Sequence, residues 1–219
     1  MRKTRFLAPL LVLSLWFTGA AATEILQSGK DFKRLSKEQP TEVAEGKVEV
    51  RELFWYGCPH CNDLEPHMQK WLEEKPDFIE FVRMPAVFKN EKGHPWRVSA
   101  RAFYTAQALG VLEKVHEPMF HAIHDNNRKL YSEDALAAFF GEHGVDPEAF
   151  RKTFNSFSVE TKVNRAAELT RRYRIGGVPA VIVGGRYRVG ASMAGSHQRL
   201  ITIAEQLAVK ERARAASRR

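Results

Sequence analysis

The chain has 219 residues, 44% apolar and 27% charged, with a formal net charge of +8. That size and composition suit one or two domains with a true hydrophobic core. Only two cysteines are present, which excludes a disulfide-stapled framework, and the basic excess forms no stripe interleaved with aromatics, which argues against a nucleic-acid binder.

Arg2, Lys3 and Arg5 lead into an apolar run through Phe17, followed by Ala20-Ala21-Ala22. A charged start, an apolar centre and a small-residue cleavage site are expected of a secretory signal peptide over residues 1–22, cut before Thr23. The run is short for a transmembrane span, and no later stretch is apolar enough to cross a bilayer. No cysteine stands at the cleavage region for a lipid anchor. The mature chain is therefore expected to be soluble and exported, into a compartment that tolerates disulfides. Without Arg2, Lys3 and Arg5 it carries 31 basic and 26 acidic residues, a net +5. Several of these charges lie in residues 210–219, expected as a solvated helix end with a frayed basic tail.

Thr23 to Gly46 is polar and mixed, with Pro40 and Gly46 as breakers, and is expected to hold an entry strand and loops. From Val48 to Tyr56 the pattern alternates and then turns aromatic, as a strand entering a core does. Glu52 is its odd member; the residues alone leave open whether it is a strand-edge charge in water or a buried carboxylate. Gly57 gives the backbone a sharp exit. Pro59 then suits the first position of a helix, where its missing N–H has no partner to lose. Leu64, Met68, Trp71 and Leu72 continue at helical spacing, and Pro66 kinks that helix.

Carried backwards, the apolar stripe includes Cys61, which should be shielded, and leaves Cys58 at the open tip. There the unpaired N–H groups and the helix dipole favour an anion, so Cys58 is expected to be the thiolate. His60, off the buried face, adds positive charge when protonated. A structural zinc would need a second pair of ligands, and a c-type haem would need His where Asn62 stands. A strand, a glycine, Cys-Pro-His-Cys and a helix in that order point to a redox pair rather than two inert core cysteines.

A second strand runs through Phe78–Met84, and Phe88 to Pro95 reads as a loop. Helical patterns then follow one another: Trp96, Ala100 and Phe103 on one face; Leu112, Val115, Met119 and Ile123 on the next. Ser132 caps a short helix, Asp146-Pro147 opens another, and a last one runs from about Ser158 to Tyr173. These should form an inserted helical subdomain over 96–158. His116, His121 and His124 lack further ligands at matching spacing and are expected on a solvated helix face, with no metal.

Ile175-Gly176-Gly177-Val178-Pro179 precedes a strand over Ala180–Val183, a Gly184-Gly185 turn, and a return strand through Val189. By itself Pro179 is simply a strand opener. Ser196 caps a closing helix with Leu200, Ile203, Ala204 and Leu207 on one face. Neither a GxGxxG nor a P-loop occurs, so no nucleotide cofactor is implied.

Cys58-Pro59-His60-Cys61 behind an aromatic-rich strand, together with Gly177-Val178-Pro179, resembles the DsbA-type thiol:disulfide oxidoreductases of the thioredoxin superfamily. The likeness extends over essentially the whole mature chain. It implies an α/β, thioredoxin-like fold over residues 23–95 and 159–209, interrupted by the helical subdomain and followed by the basic tail. It also implies an oxidase that introduces disulfides into exported, folding proteins with free cysteines, using its Cys58–Cys61 disulfide and no other cofactor. A depressed Cys58 pKa favours the reduced form and so makes an oxidant.

In the resembled family a buried glutamate near the second cysteine shuttles its proton, and Glu52 falls at that offset. The family's lysine partner is replaced here by Arg83, whose guanidinium cannot give up a proton as an ammonium can. The resemblance makes Pro179 cis and places it beside Cys58, with Pro59, Val178 and Pro179 meeting the substrate. The Val178 backbone would pair with an extended segment. It further implies a periplasmic monomer, reoxidised by a membrane oxidase of the DsbB type that passes electrons to quinone. The rivals are an isomerase or reductase of the same superfamily and a non-catalytic exported chaperone or metal-binding protein.

Overall fold

Strand β2 (Val48–Phe54) is buried along all seven of its residues and carries the rest of the fold around it. The computed structural model describes residues 25–217; the expected leader over 1–22 lies outside the described residues. β2 pairs in parallel with β3 (Ile79–Pro85) and antiparallel with β4 (Ala180–Val183). With β5 (Tyr187–Gly190) and the two-residue β1 (Lys33–Arg34) the sheet has the order β1-β5-β4-β2-β3. Helix α1 (Pro59–Glu74) crosses from β2 to β3, as a parallel pair requires.

The alternation in β2 does not mark a wet face, because helices cover both sides. On one side Val48 and Val50 pack against Leu64 and Met68 of α1 and Leu200, Ile203 and Leu207 of α8 (His197–Ala216). On the other side Leu53 packs against Val159, Val163 and Leu169 of α6 (Phe157–Arg172). The polar residues of β2 on that face satisfy each other, since Arg51 donates to both carboxylate oxygens of Glu49 at 2.8 and 2.9 Å. Buried charge is tolerated only when paired in this way.

Between β3 and β4 lie α2 (Pro95–Ala108), α3 (Leu112–His124), α4 (Glu133–Glu142), α5 (Pro147–Phe154) and α6. Ser132, Asp146 and Ser156 accept from the backbone N–H groups of Ala135, Ala149 and Val159 as N-caps, the role their short polar side chains fill best. The aromatic core of this unit includes Phe103, Phe120, Phe139, Phe140 and Phe150, and Phe54, Tyr56, Cys58 and Cys61 belong to the same cluster. The cysteines thus sit at the seam between sheet and helices.

Two features differ from the expectations. A four-residue helix α7 (Ala191–Ala194) joins β5 to α8. Helix α8 continues through the stretch expected as a tail, because Glu211 is buried there and holds Arg214 at 2.6 Å and Arg186 at 3.4 Å. Lys210 and Arg212 also lie over the rings of Tyr187 and Phe78.

The β4–β5 turn places Gly184 and Gly185 at φ of 54° and 62°, open to glycine at little cost. A Cβ on Gly185 would lie 2.0 Å from the Gln39 carbonyl oxygen. Gly185→Ala is therefore expected to cost about 2–4 kcal/mol, through both backbone strain and loss of the entry segment's seat. Thermal or denaturant unfolding measures it, and a loss below about 0.5 kcal/mol, the usual surface range, contradicts this assignment.

Candidate active site

At the end of β2 the chain turns over the Trp55 ring. A Cβ on Gly57 would lie 2.5 Å from that ring, which is itself stacked on Trp96 at 4.2 Å between centroids. Only glycine lets the backbone pass so close. The Cys58 N–H donates to the Trp55 carbonyl at 2.9 Å, and Cys58 is the N-cap of α1 with Pro59 first inside it. Asn62 N–H returns to the Cys58 carbonyl at 3.1 Å.

Both cysteines are free thiols. Cys61 is fully buried, as its place on the α1 stripe implies, whereas Cys58 is 8% exposed, less open than a bare helix tip. The cover is the loop before β4: the Val178–Pro179 peptide bond is cis, and the Cys58 thiol donates to the Val178 carbonyl at 3.5 Å.

The two sulfurs ionise very differently. Cys58 is lowered to about 6, first by a hydrogen bond from the Cys61 thiol, against the opposing effect of burial. The Cys61 and His60 backbone N–H groups help, and the charge of His60 comes last. The sequence reading has the direction right, but it ranks the helix mouth and His60 first and does not see the neighbouring thiol. Cys61 is pushed up by burial and then by Cys58 itself, with Glu52 adding to the effect.

Behind the cysteines lies a buried chain of charged groups. Glu52 on β2 stands opposite Arg83 on β3 in the strand register, with Arg83 Nε 3.4 Å from its Oε2. Arg83 also grips Glu65 of α1, which in turn accepts from Gln69 at 2.7 Å. Glu65 Oε2 lies 3.4 Å from His116 Nε2, an electrostatic contact rather than a full hydrogen bond. His116 Nδ1 meets the Tyr56 hydroxyl at 2.8 Å.

Two carboxylates here share one guanidinium, so they cannot both ionise easily. Burial raises Glu52 to about 7, with Arg83 opposing and Glu65 reinforcing. Burial also acts on Glu65, but the contacts with His116 and Arg83 outweigh it and leave Glu65 lowered. Burial lowers His116, whose Nδ1 lies against the Tyr56 hydroxyl.

The three histidines of α3 do not share a solvated face, contrary to expectation. His121 is exposed and pairs with Asp125 and Glu117. His116 is buried, and His124 Nε2 donates to the Tyr56 carbonyl at 2.8 Å. Helix α3 thus holds Tyr56 by both its hydroxyl and its carbonyl, two residues before Cys58. The described residues contain no group of three or more potential metal ligands.

Glu65, His116 and Tyr56 escaped the sequence reading. A signal existed for two of them. Glu65 is four residues after Cys61 on the buried stripe, and His116 lies four after Leu112 and three before Met119 on the stripe of α3.

Beside the cysteines, a groove of about 640 Å³ runs from His60 past Gly177–Ala180 to α7 and the start of α8. Val178 and Pro179 form its edge nearest Cys58, and the Pro179 carbonyl accepts from Ala191 N–H at 3.2 Å. The structure therefore brings Cys58, Cys61, Val178 and Pro179 together, with His60 and Pro59 exposed on the rim and Glu52 buried behind.

Comparison with known proteins gives the chain a family. Residues 49–208 match the family described as "DSBA-like thioredoxin domain". The thiol:disulfide interchange protein DsbA of Pseudomonas syringae pv. tomato is 40% identical over 215 residues, covering 98% of each chain. Among solved structures, the crystal structure of Pseudomonas aeruginosa DsbA superposes with a TM-score of 0.80 at 39% identity, covering 87% of this chain and 97% of that one. That of DsbA from Xylella fastidiosa gives 0.79 at 32% identity, covering 87% and 100%. By sequence over its whole length and by fold, the chain belongs to the DSBA-like thioredoxin domain family.

Proposed function

We propose that this thiol:disulfide interchange enzyme works as an oxidase, handing its Cys58–Cys61 disulfide to exported proteins that carry free cysteines. One observation carries the direction: Cys58 ionises at about 6 while Cys61 resists ionisation. A substrate thiolate attacks the Cys58 sulfur, the Cys58–Cys61 bond breaks, and Cys61 leaves with the electron pair and takes a proton. A second substrate thiolate then attacks its partner sulfur in the mixed disulfide. Cys58 leaves readily as a stabilised thiolate, and the substrate keeps the new disulfide. Two electrons pass from the substrate to the enzyme.

The depressed Cys58 pKa favours the reduced folded form above the ordinary thiol value of 9.0, and this benefit is lost as pH falls through about 6. At pH 7, one unit above the Cys58 value, it amounts to at most about 1.4 kcal/mol, or about 30 mV towards an oxidising potential, with water at the helix mouth screening part of it. Glu52, titrating near neutrality, stores the proton that Cys61 takes up and releases. Arg83 stays charged and can hold Glu52 but not relay for it. His60 supports the thiolate, while Pro59, Val178 and Pro179 present the backbone along which an extended substrate lies. The leader composition supports a periplasmic site of action. A DsbB-type membrane oxidase is the natural acceptor for the two electrons, since the chemistry requires one, and a monomer suffices for it.

Equilibration with glutathione buffers tests the direction. The protein should be half reduced at a potential more oxidising than the glutathione couple; a more reducing value contradicts the oxidase reading and leaves a reductase. In thiol trapping, Cys61→Ala should accumulate mixed disulfides with substrate proteins and Cys58→Ala none.

A second test uses Glu52. Its folded value lies above the ordinary 4.5, so it weakens the fold progressively as pH rises from 4.5 through about 7. Glu52→Gln should therefore unfold like the wild type at about pH 4 and be more stable by about 1–3 kcal/mol at about pH 8. A difference independent of pH contradicts this assignment.

A further inference from the structure

Backbone pairing along Val178 reads shape and not side chains, so any preference among substrates must come from the walls of the adjoining groove. Those walls carry charge of one sign. Lys33 of β1 and Arg188 of β5, opposite each other in the strand register, both line the groove. His60 and His197 line it as well, and no aspartate or glutamate does. Among the described residues no carboxylate forms an ion pair with Lys33 or Arg188. The Arg188 guanidinium donates to the Tyr173 carbonyl at 3.2 Å, which leaves its charge uncompensated. Asp31, near in sequence, is buried and taken by Arg199 at 2.6 Å.

We infer that the groove selects extended cysteine-containing segments with aspartate or glutamate close to the reacting cysteine, and disfavours segments with lysine or arginine there. Lys33 and Arg188 bring an ammonium and a guanidinium to one wall of the groove, with the imidazoles of His60 and His197 on the same lining. An acidic side chain reaching into the groove meets two permanent positive charges at the sheet edge, whereas a basic one meets only repulsion. The inference rests on the reading that substrates lie along the Pro179 loop.

The test uses the oxidised full-length protein and two short peptides, identical except for Asp-Asp or Lys-Lys beside a single cysteine. The rate at which each peptide opens the Cys58–Cys61 disulfide is divided by its rate with the neutral hydroxyethyl disulfide. That ratio removes the effect of the flanking charges on the thiol itself. The normalised rate should favour the acidic peptide by about tenfold at about 20 mM salt, the size expected of two exposed ion pairs, and approach parity at about 0.5 M. Lys33 is exposed on a two-residue strand, so Lys33→Glu and the neutral Lys33→Gln can be compared with native folding checked by circular dichroism. Both should narrow the preference, Lys33→Glu the more. Equal normalised rates at low salt overturn the inference, as does a preference that Lys33→Glu leaves unchanged. Failure of both peptides to open the disulfide would instead overturn the interchange reading beneath it.

Discussion

The influence of the Cys61 thiol on the ionisation of Cys58 arises where the fold denies one cysteine water and grants the other a helix mouth. Its strength depends on that difference. Cys61 is on the buried stripe of α1 and does not give up its proton readily, so it remains a donor. Cys58, one turn earlier, takes that hydrogen bond together with the first backbone N–H groups of the helix. Burial alone would raise both thiols. Placing them on either side of the boundary between cap and helix separates their ionisation, which suits the outer sulfur to be attacked and then to leave in the proposed exchange.

The buried charges behind the pair serve the same separation. Glu52, Glu65 and Arg83 come from β2, α1 and β3, so the network ties the redox helix to the two central strands. One guanidinium between two carboxylates leaves a proton near neutrality, and it resides on Glu52, whose charge is felt at Cys61. His116 extends the network into the helical unit and, with His124, grips Tyr56. The helical unit therefore does more than cover the sheet. It fixes the end of the strand from which the cysteines are presented.

Local signals were legible and long-range ones were not. Pro59 after a glycine turn, the serine and aspartate caps of α4, α5 and α8, and the paired glycines between β4 and β5 each act within a few residues, and the structure has them where the pattern puts them. Glu52 was ambiguous from the residues alone, because burying a strand charge depends on Arg83 and on helices far away in the chain. Both faces of β2 are covered by helices, α1 and α8 on one side and α6 on the other, and of these α6 and α8 come from far along the sequence. The lack of further ligands at matching spacing puts His116 in water with His121 and His124, yet its own spacing from Leu112 and Met119 matches the apolar stripe of α3, and it is buried. The ranking of causes at Cys58 needed the neighbouring sulfur, whose effect no pattern of residue types conveys.

The central claim is that the two sulfurs ionise apart because one donates to the other. Following thiolate ultraviolet absorbance against pH in the reduced protein, and in Cys61→Ala, tests it most directly. The account predicts one thiolate with a midpoint near 6 and a second only well above the ordinary 9.0, with the first midpoint moving up when Cys61 is removed. Two thiols titrating together near 9.0, or a Cys58 midpoint that ignores the loss of Cys61, would contradict it.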